Sequence, residues 1–479
     1  MERDLLTKFL KLMSKNISDS DLELIQLGNS LGLDLVSFAD LRASQDDKFI
    51  NDIRNKALKK MEKEYDNFLK NDDSFYAGSI DFMVCDESDG KKFFLLETNG
   101  GSHRGLSIIT NYQQTLLYDG YYEAIHQAIT KDKRKDGKVF VLIGVPVNDG
   151  LIHEKVIMVE YLRKKLKSNN FSVKIFNSDN YNKDFEASVI FLIADYKQLS
   201  KKLSYTENWI TYMSDKVSVL IGDGIARRFT NPSFSKLIER DFRKINTIIV
   251  NPIYKVTDDK SLTYLASYFS KKDLDRYNLK YLLFTKAFDN EDLIGKLKYL
   301  IEKENKDFII KPSGGSGGAG IVPISKDDNI VKIKRMINES KKEFFAKFMK
   351  DRNPYPYTIQ EKADFSLIDW KNGKHTFDLR IYLAQNDNRI IPIGGLARIA
   401  RGSFNSGLDK QEFVVNLSGY DGQIEVERGI GFSAETSDIL NLNSEDFMNM
   451  FCIGCVIFKS IVENYEKIIN FSDWDKIMG

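Results

Sequence analysis

The chain has 479 residues, with 70 Lys plus Arg against 69 Asp plus Glu and a formal net charge of +1; 42 % of its residues are hydrophobic and 12 % aromatic. The near-neutral balance argues against a general nucleic-acid binder, which needs a basic excess on at least one face, and the apolar content argues against a disordered chain. Length alone suggests about three domains. The longest strongly apolar run, VFVLIGVPV at 139–147, has nine residues, against the roughly 20 a membrane helix needs. The N-terminal MERDLLTKFLKLMSKN has early acidic residues and no long apolar stretch, so no secretory signal is expected. Three scattered cysteines, Cys85, Cys452 and Cys455, suit a reducing cytoplasm rather than a disulfide framework. The CxxC of the last two lies in an apolar run and reads as core, not as half a metal site. A cytoplasmic protein with no membrane and no nucleic-acid partner is expected.

In chain order, residues 1–72 carry apolar residues at helical spacing and form an expected helical N-terminal layer without chemistry. Residues 75–97 read as a β-hairpin, with SIDFMV as one strand, DESDGK as the turn and KFFLLE as the return. The stretch ETNGGSHRG follows, then a helix from about 107 to 130. A basic linker at 131–138 leads into residues 139–223, where apolar strands alternate with amphipathic helices. That rhythm predicts a parallel sheet with right-handed crossovers. No G-x-G-x-x-G follows its first strand, so no dinucleotide site is expected there. From about 236 the pattern is α+β, with helices near 328–351 and 445–468 and a hairpin built from TFDLRIYLA and RIIPIGGLARIA. No internal repeat is visible.

Four groups of residues carry candidate chemistry. In FIIKPSGGSGGAGIVPI, an apolar strand delivers Lys311 to a loop containing Gly314, Gly315, Gly317, Gly318 and Gly320. Glycines let the backbone approach a phosphate chain and turn N–H groups towards it. The lysine precedes the glycines, so this is not a Walker loop; a flexible hairpin loop with a surface lysine would look the same. Glu97 and Asn99 are two apart on a strand and share a face, with Asp81 opposite on the partner strand. These hard oxygen donors suit magnesium completed by substrate phosphate, or simply a solvated hairpin end. Asp378 and Arg380 share a strand face, and Arg398, Arg401 and Asn416 follow. Convergent guanidinium groups suit phosphate or carboxylate, but also exposed ion pairs across a hairpin. Gln360 and Glu361, at the end of a strand, could hydrogen-bond an adenine and a ribose.

Taken as an ordered set over about residues 70–479, these segments resemble the ATP-grasp ligases in circularly permuted order. That group includes glutathionylspermidine synthase and a large bacterial family with DLR, PGGLTRVA and VVNS stretches. HTFDLRIYLA, IPIGGLARIARGSF and FVVNLSG are similar to those stretches. The resemblance implies α/β and α+β architecture: a helical layer at 1–72, a permuted metal-binding segment at 73–130, a Rossmann-like βαβ domain preceding the ATP-grasp unit at 138–235, and ATP-grasp subdomains with a C-terminal helix at 236–479. It implies ATP and Mg²⁺ as cofactors. Lys260 and Lys311 would be the two phosphate lysines and Gly314 to Gly320 the closing loop, with Gln360 and Glu361 on the adenine strand. Asp81, Glu97 and Asn99 would be the metal ligands, and Arg380 and Arg398 the stabilisers of the transferring phosphoryl group. Where glutathionylspermidine synthase has an arginine two residues before the first metal aspartate, this chain has Ser79. The role of that arginine would fall to Arg104, Arg398 or Arg401, and His103 and Asn416 are further substrate-side candidates.

The implied activity is an ADP-forming ligase that activates a carboxylate as an acylphosphate and joins it to an amine or thiol. Small-molecule carboxylate and amine substrates are the implied partners. A ligase that loads a carrier protein or modifies a protein, with the 131–138 stretch as a basic docking patch, is one alternative. An ATP-binding module without turnover is another.

Overall fold

The structure is a computed structural model describing residues 44–65, 74–100, 110–131, 138–145, 152–178, 181, 186–222, 234, 244–257, 259–315, 317–348, 353–371, 373–417 and 425–477. Most of the expected N-terminal layer lies outside them. Its described part is helix α1 (Asp47–Glu64), whose N-terminal amides are capped by the Asp46 carboxylate. Strands β1 (Ala77–Glu87) and β2 (Gly90–Asn99) form the expected hairpin, with a shorter turn than DESDGK suggested. Helix α2 (Asn111–Lys131) follows.

The next unit alternates β3 (Val139–Val145), α3 (Ile152–Ser168), β4 (Val173–Asn177), β5 (Val189–Asp195), β6 (Val219–Gly222) and β7 (Ile248–Ile249). Its strands pair in parallel, in the order β7-β6-β3-β5-β4. Every residue of β3 is buried, as a parallel strand covered on both faces must be.

A third unit comprises α4 (Lys260–Phe269), β8 (Phe284–Ala287), α5 (Asn290–Glu304), β9 (Phe308–Pro312), β10 (Val322–Ile324), α6 (Ile330–Phe348) and β11 (Tyr357–Glu361). Its strands form an antiparallel sheet in the order β8-β11-β9-β10. The apolar faces of α5 and α6 pack on it through Leu293, Leu297, Leu300, Ile333 and Ile337.

The last unit supplies β12 (Phe377–Asn386), β13 (Arg389–Ile399), β14 (Gly429–Gly431) and α7 (Ser444–Glu463). Here the front of the chain joins its end. The sheet order is β14-β13-β12-β1-β2, antiparallel throughout. Strand alternation divides its faces. Ile80, Phe82, Val84, Leu379, Ile381, Leu383, Ala397 and Ile399 join the core beneath α7 and α1. The alternating set, with Asp81, Met83, Asp378, Arg380 and Arg398, lines a cleft on the opposite side. Cys452 and Cys455 are fully buried in α7, and burial pushes the Cys452 thiol up to about 12. Buried thiols of this kind are inert. No described helix is long and apolar enough to cross a membrane.

Asn251, just after β7, ties the parallel sheet to the hairpin. Its Oδ1 accepts the Tyr76 amide at 2.8 Å, and its Nδ2 donates to the carbonyls of Ala77, at 2.6 Å, and Gly100. Its φ of +57° is one that asparagine and glycine tolerate best. Asn251→Gly should preserve that backbone yet leave buried backbone groups unpaired. A loss of about 3 kcal/mol is expected, read as a lower urea midpoint; an unchanged midpoint would show that the tie contributes nothing.

Candidate functional site

The floor of the cleft is set by strand register. Asp81 pairs with Glu97 on one side and with Arg380 on the other, and Asp378 pairs with Arg398 across the β12–β13 hairpin. Arg380 donates through Nε to Asp81 Oδ1 and through Nη2 to Oδ2, both at 2.7 Å. Arg398 Nη2 donates to Asp81 Oδ2 at 2.7 Å, and its Nε donates to Asp378 Oδ1 at 2.8 Å. All four side chains are buried. Burial works to raise the Asp81 carboxyl, but the charges of Arg380 and Arg398 outweigh it and hold it well below the usual range. Asp378 goes the other way. Burial and the nearby Asp81 outweigh Arg398 and push it up to about 6.

The lysines arrive from two elements. Asp259 caps α4, its Oδ1 accepting the amides of Ser261 and Leu262 at 3.0 and 3.3 Å. This fixes Lys260 at the first helical position, where its Nζ lies 2.9 Å from Glu97 Oε2. Burial would raise the Glu97 carboxyl, but Lys260 brings it below its ordinary value. Lys311 ends the apolar run of β9 and donates to Tyr264 Oη at 2.9 Å and Gln360 Oε1 at 2.5 Å. Tyr264 in turn donates to the Leu96 carbonyl at 2.6 Å. Burial, reinforced by the Lys260 charge, brings the Lys311 ammonium down to about 7.

The glycine loop closes the roof. Gly314, Gly317, Gly318 and Gly320 all have φ between +62° and +75°. A Cβ at Gly318 would come within 2.6 Å of Val414 Cγ1, and one at Gly317 within 2.9 Å of Asn416 Nδ2. Gly315, Gly317, Gly318 and Asn416 line the cleft, whereas Gly314 and Gly320 sit at the two ends of the loop outside its lining. The other end of the cleft is apolar, walled by Met83, Phe94, Ile309, Ala363, Phe365 and Phe413. The Phe365 and Phe413 rings stack with centroids 6.1 Å apart. The empty space, counted out into the open solvent at its mouth, is about 1210 Å³.

Asp81, Glu97, Asn99, Lys260, Lys311, Gln360, Glu361, Arg380, Arg398 and Asn416 thus border one cleft. Glu361 lies on its rim, with Oε1 2.7 Å from Lys306 Nζ. Arg401 does not border it; its Nε donates to Glu425 at 2.8 Å. His103, Arg104 and the basic residues 132–137 lie outside the described residues. Sequence reading missed Tyr264, Lys347 and the aromatic wall, all part of this lining or its support. The DLR motif had already put Asp378 beside Arg380, but not the pairing of both arginines with Asp81.

Among the described residues, no group of three or more His, Cys, Asp or Glu side chains is placed to hold a metal ion. The oxygen donors of the cleft are the carboxylates of Asp81 and Glu97, here paired with Arg380, Arg398 and Lys260, and the amide of Asn99, whose buried Nδ2 has no partner among the described residues. Two carboxylates and an amide oxygen fit magnesium, which usually completes its shell with water and substrate phosphate. An apolar slot leading to clustered cations and hard oxygen donors can hold an elongated ligand with a flat apolar end and a polyanionic tail.

No family model matches the chain, and no curated protein matches it. Among solved structures it is similar to a protein from Methylobacillus flagellatus KT provisionally identified as a gamma-glutamylcysteine synthetase, at 11 % identity and a TM-score of 0.47, covering 88 % of this chain and 95 % of that one. It is also similar to a glutathione synthetase-like effector from Globodera pallida, at 13 % identity and a TM-score of 0.39, covering 83 % and 85 %. A D-cycloserine synthetase aligns at 10 % identity and a TM-score of 0.29, covering 68 % and 99 %. At these values, the functional reading rests on the geometry of the cleft.

The depressed Lys311 ammonium makes a prediction for any polyanion bound beside it. At pH 8 the free lysine is mostly neutral, and an adjacent anion raises its pKa. Tripolyphosphate binding at pH 8 should therefore take up about one proton per site, falling towards none at pH 6. Calorimetry in buffers of different ionisation enthalpy reads this directly. Equal proton uptake by wild type and Lys311→Met would assign the proton to another group.

Proposed function

We propose that the chain is an ATP-dependent ligase of ATP-grasp type in circularly permuted order, activating a carboxylate and joining it to an amine or thiol. The observation that carries this reading is the convergence, in one cleft, of Lys260, Lys311, the glycine loop, Glu97, Asp81, Arg380 and Arg398 beside an apolar slot. The permuted order is supported by the pairing of β1, from the front of the chain, with β12.

In this reading the apolar slot takes the adenine, and Lys260, Lys311 and the loop amides hold the proximal phosphates. Asp81, Glu97 and Asn99 would hold Mg²⁺, which when bound neutralises phosphate charge. Arg380 and Arg398 orient the terminal phosphoryl group and stabilise charge developing on it. The substrate carboxylate oxygen attacks the terminal phosphorus and the bond to the ADP oxygen breaks, giving an acylphosphate and ADP. The amine or thiol then attacks the acyl carbon, phosphate leaves with the C–O bond pair, and the nucleophile loses its proton. Phosphoryl transfer depends mainly on positioning and electrostatics, which a buried, fully hydrogen-bonded floor supplies.

A binding module without turnover is the second reading. One observation favours it: the position where the resemblance expects a substrate-side arginine holds Ser79, buried and with its hydroxyl unpartnered among the described residues.

ADP release from ATP across panels of carboxylates, amines and thiols separates the two. Turnover is expected, with Arg380→Ala slower by about 10²–10³-fold in kcat and Glu97→Gln also impaired. If neither substitution changes carboxylate-dependent ADP release, the role assignment fails. ATP binding without ADP release across the panels would support the module instead.

A further inference from the structure

We infer that Tyr264 is a positioning residue of this cleft: anchored on a β-bulge in β2, its hydroxyl holds the Lys311 ammonium in place for phosphate, an inference that rests on the phosphate-binding reading above. The bulge lies in the β1–β2 register. Asp81 pairs with Glu97, but the next residue, Phe82, pairs with Leu95, so Leu96 is an extra residue in β2. An extra residue reverses the alternation of faces. Phe94 and Leu96 line the cleft in one phase, and Glu97 and Asn99 line it in the other. Without the bulge, Glu97 would share the core face of Leu95.

The carbonyl of this extra residue accepts the Tyr264 hydroxyl at 2.6 Å, and the phenol oxygen accepts Lys311 Nζ at 2.9 Å. A phenol has one proton. Committed to the Leu96 carbonyl, it leaves the oxygen lone pairs for the ammonium. Gln360 Oε1 accepts Lys311 Nζ at 2.5 Å and lies 2.9 Å from Tyr264 Oη, which closes a triangle of ammonium, amide and phenol. All three side chains are buried, where hydrogen bonds are stronger than in water. Tyr264 follows Lys260 by four residues on α4, the spacing that puts two side chains on one helix face. That face delivers the Lys260 ammonium to Glu97 and the Tyr264 hydroxyl to Lys311. The Tyr264 ring meets Phe284 edge-on, with centroids 5.4 Å apart, so the ring packs independently of its hydroxyl. The charged groups that bear most on Lys311 are Lys260 and Glu97. Asp81, Asp378, Arg380 and Arg398 line the same cleft from its floor, and Lys347 and Glu361 line it from α6 and β11. A change confined to the Tyr264 hydroxyl leaves all of them in place.

The test is tripolyphosphate binding to the full chain, with affinity and proton uptake followed by calorimetry across pH. Tyr264→Phe takes an acceptor from a charged donor, which disfavours the charged lysine. The uptake profile should move down by about one pH unit or more, so that uptake persists at pH 6. Affinity at pH 8 should fall about tenfold for each unit moved. In a Lys311→Met background the same substitution should change affinity by less than about twofold. Thr263→Val removes the neighbouring contact of α4 with β2, where the Thr263 and Thr98 hydroxyls lie 2.7 Å apart, and should leave the profile where it is. An unmoved profile in Tyr264→Phe, an equal loss of affinity in both backgrounds, or an equal displacement by Thr263→Val overturns the inference while leaving the phosphate reading standing. If Tyr264→Phe alone does not fold, the double variant decides. Folding regained with Lys311→Met supports the inference, because the buried ammonium short of an acceptor is then gone; failure of both to fold overturns it. Failure of tripolyphosphate to bind the wild type at any pH overturns the phosphate reading, and this inference with it.

Discussion

The pairing of β1 with β12 is the constraint on which the rest of the site depends. It places Asp81 against Arg380 across 299 positions of sequence and aligns Glu97 on the other side of the same row. A one-residue slip would turn Asp81 towards the helix-covered core and bring an apolar neighbour into the cleft. That slip is doubly disfavoured. It would bury a carboxylate among Leu379, Ile381 and the side chains of α7, and it would take the Asp81 carboxylate away from both buried guanidinium groups that it now pairs with. The ion network thus fixes register as well as presenting charge.

On this floor the roof is positioned by a second polar chain. Tyr264 links the Leu96 carbonyl of β2 to Lys311 of β9, so two sheets and α4 meet at one hydroxyl. Burial raises the Tyr264 phenol well above its ordinary value, which keeps it protonated and able to donate. Asp259 does comparable work at the start of α4, capping the helix through one oxygen and binding Lys286 at 2.6 Å through the other. Lys286 is held by the cap, and Lys260 is the lysine that reaches the cleft.

The local pieces of this site were legible in the sequence because they follow short periods. Glu97 and Asn99 two apart on a strand, Asp378 and Arg380 likewise, and Lys311 at the junction of an apolar strand with a glycine loop all follow from strand alternation and turn chemistry. The alternation of strands and helices after residue 139 likewise foretold a parallel sheet. Tyr264 and Lys347 were not legible, because each lies on a helix and earns its place only through tertiary packing. Arg401 shows the converse. Its motif context matched that of Arg398, yet three residues further on, beyond the end of β13, it turns to Glu425. The sequence pattern could group the arginines, but only the strand boundary separates the one inside the cleft from the one outside.

The two halves of the cleft are held with unequal strength, and this bears on how a ligand enters. The floor is buried and saturated with charge-assisted hydrogen bonds, so breaking it one partner at a time is costly. The roof is held to the segment after β13 by lighter contacts. Lys410 Nζ lies 2.5 Å from Glu343 Oε2 and donates to the Gly318 carbonyl at 3.3 Å, while Val414 packs against Gly318. Glu343 is 42 % exposed, and exposed ion pairs contribute about 0–1 kcal/mol. Glycines at positive φ let the loop pass close under Val414 without a side chain to lock it there. Thermal opening should therefore occur at the loop, leaving the Asp81 row intact, so that a ligand enters a preformed floor beneath a roof that can yield.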